Sequence, residues 1–169
     1  MHQLRFATWN VNARRPTPRH IEFMRAIHPD VLALQEANPA PVKTLAQSGL
    51  FADVFSAIEL TTVKPSPKRY TCAVAVRHSG WAEKPELLPL PVPEQSLVVP
   101  LSLQDGKQVL AVSVHIPNGS NWRVVKSETY ARLADWLKAA GQCVLLGIDT
   151  NSPKVDHPEH SQKQGYSPQ

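Results

Sequence analysis

Cysteine is scarce in this 169-residue chain: Cys72 and Cys143 are all it has. Each lies inside an apolar run with no second cysteine or paired histidine nearby, which argues against a zinc site and predicts two small buried side chains. A reducing cytoplasm is the expected compartment. Long hydrophobic runs are missing too, since none approaches a membrane span, so no membrane partner is expected. Residues 1–5 lead into the first apolar run without the charged region and long apolar stretch of an export signal. The chain shows no internal repeat. Acidic residues are in mild deficit, 14 Asp and Glu against 18 Lys and Arg, and the formal charge of +4 favours a polyanion or a phosphate ester as partner. What is present is globular in character: 42% hydrophobic and 19% charged residues, enough for one domain with a core.

Residues 4–11 read as a strand. Thr17 and Pro18 are a helix cap and first position, and Ile21, Met24 and Ile27 recur at helical spacing until His28-Pro29 stops the helix. A strand from Val31 follows, which predicts a βαβ unit with two parallel strands exposing the same ends. Residues 41–48 read as a short helix closed by Gly49. Residues 54–60 and 70–77 read as strands around a basic, Pro-stiffened loop at 64–69, and the Pro-rich stretch 85–93 as an ordered loop or edge segment. Strands at 97–103 and 108–116 flank Asp105-Gly106, the strongest hairpin signal in the chain. From 122 to 140 the period is helical, with Tyr130, Leu133, Ala134 and Leu137 on one stripe and Gly141 at the end. The Val144 strand completes residues 1–151; residues 152–169 form a polar tail.

Four apolar runs end on polar residues: Phe6 to Trp9 into Asn10, Val31 to Leu34 into Gln35-Glu36, Val109 to Val114 into His115, and Val144 to Ile148 into Asp149-Thr150-Asn151. Short apolar runs suit strands buried on both faces, where an unpartnered carboxylate or imidazole is costly. Neighbouring strands presenting these ends at one rim would let a divalent cation and a phosphate satisfy them together. Asp149 and Asn151 alternate across Thr150, so on a strand they share a face; an Asx turn ending the strand is the other reading.

The motifs Thr8-Trp9-Asn10-Val11-Asn12, Leu34-Gln35-Glu36, Val114-His115-Ile116-Pro117-Asn118 and Gly147-Ile148-Asp149-Thr150-Asn151 resemble, in order, those of the endonuclease/exonuclease/phosphatase superfamily of exonuclease III and DNase I type. The resemblance implies an α/β fold that is part of a four-layer α/β/β/α sandwich, here its N-terminal half plus the first strand of the second sheet. It implies a divalent-metal-dependent phosphodiester hydrolase. Asn10 and Glu36 would hold Mg²⁺ or Mn²⁺, Asp149 would orient or activate water, and Asn151 and His115 would stabilise the transition state. A histidine near its ordinary pKa suits donation to a phosphoryl oxygen or a leaving alkoxide. Asn12 stands where some members carry an acid. Asn118 resembles a phosphate contact, though Asn118-Gly119 is equally an ordinary turn pair.

The superfamily normally continues into a second half that ends in a Ser-Asp-His motif, and no later apolar run carries one here. Asp156-His157 is an Asp-His pair without a preceding strand, so a polar loop is the expected reading and activity of the chain alone is expected to be impaired. A single strand of the second sheet would leave an apolar face exposed and favour self-association. Arg14, Arg15, Arg19 and the basic loop point to DNA as substrate, with solubility as the plain alternative. A phosphatase of small phosphate esters, or a noncatalytic fragment that holds metal or nucleic acid, are the rival functions.

Overall fold

In the computed structural model residues 3–62, 70–118 and 123–151 are described. The basic loop and the polar tail with its Asp156-His157 pair lie outside them. Strand β1 (Phe6–Asn10) runs through helix α1 (Pro18–Ile27) into β2 (Val31–Gln35), and the two strands pair in parallel from Phe6↔Val31 to Asn10↔Gln35. Thr17 caps α1 as its sequence requires. His20 completes the capping box in place of an acid, its Nδ1 accepting the Thr17 N–H at 3.1 Å. Helix α2 (Pro39–Ala46) precedes β3 (Asp53–Ser56) and β4 (Ala73–Val76), which close a sheet of order β1-β2-β4-β3.

The second sheet has the order β5-β6-β7, from β5 (Ser96–Ser102), β6 (Gln108–His115) and β7 (Cys143–Asp149). The β5–β6 hairpin turns at Gly106, whose φ of +79° is open to a residue without a side chain. Helix α3 (Arg123–Ala139) then carries the chain from β6 to the parallel strand β7. Each sheet therefore contains one parallel βαβ unit.

Strand alternation sorts the core into three seams. Leu32 and Leu34 turn outward onto Met24 of α1 and Val42 and Leu45 of α2. Val31, Val74 and Val76 turn inward onto Leu97, Val99, Val109 and Ala111 of the other sheet. Leu110, Val112 and Val114 turn outward onto Leu133, Trp136 and Leu137 of α3. The layers run α/β/β/α, the expected architecture.

Four sequence expectations shift in detail. The second sheet holds three strands rather than its opening strand alone, because β5 and β6 pair with each other and β7 adds to β6. The inner sheet faces consequently cover one another, and the open side is an edge, where the half-buried β1 lies beside β7. Residues 57–60 form a 3-10 turn, not more of the β3 strand, since the β3–β4 ladder ends at Ser56↔Ala73. Cys72 is buried as expected, but Cys143 is exposed because it opens the edge strand β7.

The sheets approach closely at Gly147. A Cβ there would lie 2.5 Å from the Ala33 Cβ and 2.7 Å from Thr8 Oγ1, closer than packed atoms allow. Gly147→Ala is expected to lower the urea midpoint with an unchanged m-value, at a cost of about 1–3 kcal/mol typical of overpacking. An unaltered midpoint would show that the sheets part freely here.

Candidate functional site

The same alternation that sorts the core also builds the site. Asn10 shares a strand face with Phe6 and Thr8, Gln35 with Val31 and Ala33, His115 with Ala111 and Ser113, and Asp149 with Leu145 and Gly147. All four therefore point between the sheets. They also end their strands: the ladders stop at Asn10↔Gln35 and at His115↔Asp149. Two parallel pairs thus deliver polar residues to a single rim.

Beneath the rim a polar chain crosses the sandwich. Thr8 Oγ1 donates to Gln35 Oε1 at 3.2 Å, Gln35 Nε2 donates to Ser113 Oγ at 3.1 Å, and Ser113 Oγ donates to the Leu34 carbonyl at 2.7 Å. Gln35 is 2% exposed, so these bonds replace the water it has lost.

Glu36 follows Gln35 and by alternation would face the helices. A left-handed φ of +52° takes it out of the strand instead, and its Oε1 lies 3.4 Å from His115 Nε2. The facing turn is left-handed at Asn12 and Ala13, and the Ala13 N–H donates to the Glu36 carbonyl at 3.0 Å. Asn38, the cap of α2, donates to the Ala13 carbonyl at 3.3 Å and holds that turn from the other side. Arg14 and Arg15 are exposed on the chain that leaves it.

Asp149 is held by amides. Asn10 Nδ2 donates to its Oδ2, the Asn151 N–H donates to its Oδ1 at 3.0 Å, and Asn10 Oδ1 accepts the Asn12 N–H at 2.8 Å. The Asp149–Asn151 segment is thus an Asx turn, with Asn151 at φ +46°, and still brings both side chains to the rim. The turn rather than strand alternation pairs them, since β7 ends at Asp149.

His115 is 5% exposed. Asn151 Nδ2 donates to the Ile116 carbonyl at 2.6 Å, which fixes the orientation of the amide, and the same NH₂ lies 3.1 Å from His115 Nε2. In the neutral imidazole a proton on Nδ1 lets Nε2 accept from this NH₂, and a proton on Nε2 lets it donate to Glu36 Oε1 at 3.4 Å. Nδ1 has no hydrogen-bond partner among the described residues. Burial pushes the imidazole pKa down; the Glu36 and Asp149 carboxylates pull it back up without reversing the shift.

The ligand atoms of Glu36, His115 and Asp149 lie within 4.8 Å of one another. Among the described residues no Lys or Arg forms an ion pair with either carboxylate, and a hard cation with oxygen ligands fits such a donor set. Asn118 is exposed beyond the end of β6.

Sequence reasoning missed three neighbours. Tyr70, 41% exposed, stands edge-on to His115 with ring centroids 6.3 Å apart. On α3, Lys126 and Tyr130 reach the carbonyls of Asn151 and Thr150. The four-residue spacing of Lys126 and Tyr130 marks a shared helix face, but nothing in the sequence says what it meets.

The lowered pKa of His115 has a sign. Between its folded value and the ordinary value near 6.5 the unfolded chain binds a proton that the native chain refuses, so stability rises with pH through that window and levels off above it. In metal-free protein, unfolding free energies measured from about pH 5 to 8 should show this rise, and His115→Gln should remove that part of the slope. Equal slopes in both proteins would contradict the neutral assignment.

The comparisons with known proteins agree with this architecture. Among solved structures, Danio rerio TDP2 complexed with single strand DNA product superposes with a TM-score of 0.69 at 19% identity, over 98% of this chain and 66% of that one. The human Nocturnin catalytic domain with bound sulfate anion gives 0.59 at 14% identity, over 96% and 70%. ANGEL2, a 2′,3′-cyclic phosphatase, gives 0.56 at 19% identity, over 92% and 51%. The chain thus spans just under two thirds of the TDP2 chain and about half of ANGEL2. No curated protein matches the sequence. The profile of the Endonuclease/Exonuclease/phosphatase family matches residues 7–158, and the chain belongs to that family.

Proposed function

We propose that the chain is a Mg²⁺- or Mn²⁺-dependent phosphodiester hydrolase, a nuclease acting on DNA. The observation that carries this reading is the convergence of Glu36, His115 and Asp149 at the sandwich rim, in a chain of a family whose enzymes are generally divalent-metal dependent. Glu36 and Asn10 are the assigned metal ligands, with Asp149 near enough to share the ion. A bound dication would polarise a phosphoryl oxygen and neutralise its charge. Asp149, steadied by Asn10 and the Asn151 N–H, orients the attacking water. His115, packed beside Glu36, Asp149 and Asn151, would help stabilise the transition state together with the Asn151 amide.

DNA as substrate is supported by Arg14 and Arg15, exposed beside the turn that hydrogen-bonds to Glu36, with Asn118 as a further phosphate contact, and by the single-stranded DNA product in the TDP2 structure. The small-ester alternative draws on the cyclic phosphatase activity named for ANGEL2. Free cysteines, one of them a buried thiol whose pKa is raised to about 12, support a cytoplasmic setting. Among the described residues no helix is long and apolar enough to cross a membrane.

Glu36→Gln keeps size and removes charge, so calorimetry is expected to show strongly weakened Mg²⁺ or Mn²⁺ binding in a folded variant, and EDTA-sensitive nicking of plasmid DNA should fall with it. Changing Arg14 and Arg15 together to Ala should lower the salt slope of DNA binding. Unchanged metal affinity would remove Glu36 from the site; binding that ignores salt would favour the small ester. Metal binding without turnover would leave the noncatalytic reading.

The open edge supports self-association. β1 and β7 are outer strands on the same side of the sandwich, half-buried and rich in apolar residues such as Phe6, Val144 and Leu145. Sedimentation should detect a dimer whose population rises with concentration. A monomer at every concentration would reject the pairing.

A further inference from the structure

Where β7 ends, two successive carbonyls leave the ladder. The last pair is His115↔Asp149, so Thr150 and Asn151 have no strand partner to accept from. Both carbonyls are taken by one face of α3. Tyr130 donates its hydroxyl to the Thr150 carbonyl at 3.0 Å, and Lys126 donates from Nζ to the Asn151 carbonyl at 2.9 Å. The two side chains are four residues apart on the helix and touch each other, the ammonium lying 6.0 Å from the Tyr130 ring centroid.

Asn151 needs such a restraint. It is a non-glycine residue at φ +46°, in the left-handed region that glycine occupies freely and a side chain disfavours. Its N–H is spent on Asp149, and its side-chain amide is spent on Ile116 and His115. The one remaining backbone group is the carbonyl, and it is held by a charge-assisted hydrogen bond, the stronger kind.

We propose that Lys126, seconded by Tyr130, is a positioning residue that locks Asn151 in its left-handed conformation and so holds the Asn151 amide against His115 and the Ile116 carbonyl at the rim. In this assignment Lys126 acts through Asn151, whose carbonyl accepts from the ammonium of this half-buried residue. The inference rests on the phosphodiesterase reading for its kinetic consequence, but not for its structural one.

Two measurements separate these. In NMR spectra of the full chain, Lys126→Met should shift the Asn151 side-chain amide and the His115 imidazole resonances, and Lys126→Arg should restore them. Lys107→Met, on an exposed turn, should leave both in place. In Mg²⁺-dependent cleavage of a DNA oligonucleotide, Lys126→Met should lower kcat about 10- to 100-fold with KM within about twofold, the pattern of a lost transition-state interaction. Tyr130→Phe, which removes only a hydroxyl, should give a smaller loss in the same direction and guards against a Lys126 variant that fails to fold. Unmoved Asn151 resonances would overturn the proposal, and so would a rise in KM with kcat intact, the sign of a direct phosphate contact. If the wild-type chain cleaves no phosphodiester, the functional reading fails while the resonances still decide the clamp.

Discussion

The hydrogen bond from Gln35 to Ser113 joins the two sheets directly under the rim, and the placement of every residue above it depends on that join. Apolar contact alone sets the spacing of two sheets but not their register, since Val and Leu side chains slide over one another at little cost. A buried amide differs. Gln35 must meet partners or lose about 1–3 kcal/mol for each group left unpaired. Thr8 and Ser113 supply them from opposite sheets, in one alignment. Gly147 beside them lets the backbones come close enough for the amide to reach. Asn10 and His115 are each two residues beyond a member of this chain, so the alignment passes to them through strand alternation.

Backbone strain gathers where the register ends. Among the described residues five non-glycine positions have positive φ, and four of them, Asn12, Ala13, Glu36 and Asn151, border the rim; the fifth, His28, caps α1. A strand can present only alternate residues to one face, and the site needs neighbours. A left-handed residue breaks the alternation at the end of β2 and turns Glu36 inward beside Gln35, and another beyond β7 folds Asn151 back onto Asp149. Ordinary hydrogen bonds hold each turn in place: Ala13 to the Glu36 carbonyl, Asn38 to the Ala13 carbonyl, Lys126 to the Asn151 carbonyl.

What the sequence made legible follows from the same physics. Short apolar runs with polar ends located β1, β2, β6 and β7 and named the residues at their tips, because burial on both faces leaves a plain signature. The Thr17-Pro18 start and the His28-Pro29 stop of α1 were readable for local reasons of capping and φ. The stretch 57–60 was not, since a half-buried 3-10 turn and a strand use the same residues when their partners are unknown. The size of the second sheet was misjudged by counting motifs, although the β5–β6 hairpin signal lay in plain view. Lys126, Tyr130 and Tyr70 were invisible for a different reason. Each acts through a partner distant in sequence, and a helix face carries no mark of the carbonyl it will meet.

Charge decides what can enter the rim first. The groups facing one another are two carboxylates and an imidazole whose pKa burial lowers, and the donors that hold them are uncharged amides from Asn10, Asn151 and the backbone. Amides can satisfy lone pairs, but they leave the net charge negative. A phosphate arriving alone would meet like charges, each pair at 4 Å costing about 4 kcal/mol at an effective dielectric near 20. Protonating His115 would offset one charge, yet it would place an N–H against the Asn151 NH₂ and break the contact that orients it. The folded chain therefore opposes an incoming anion, while a small dication between the two carboxylates would relieve that conflict. The rim's amides and left-handed turns thus hold a charge imbalance whose sign favours a cation before a phosphate.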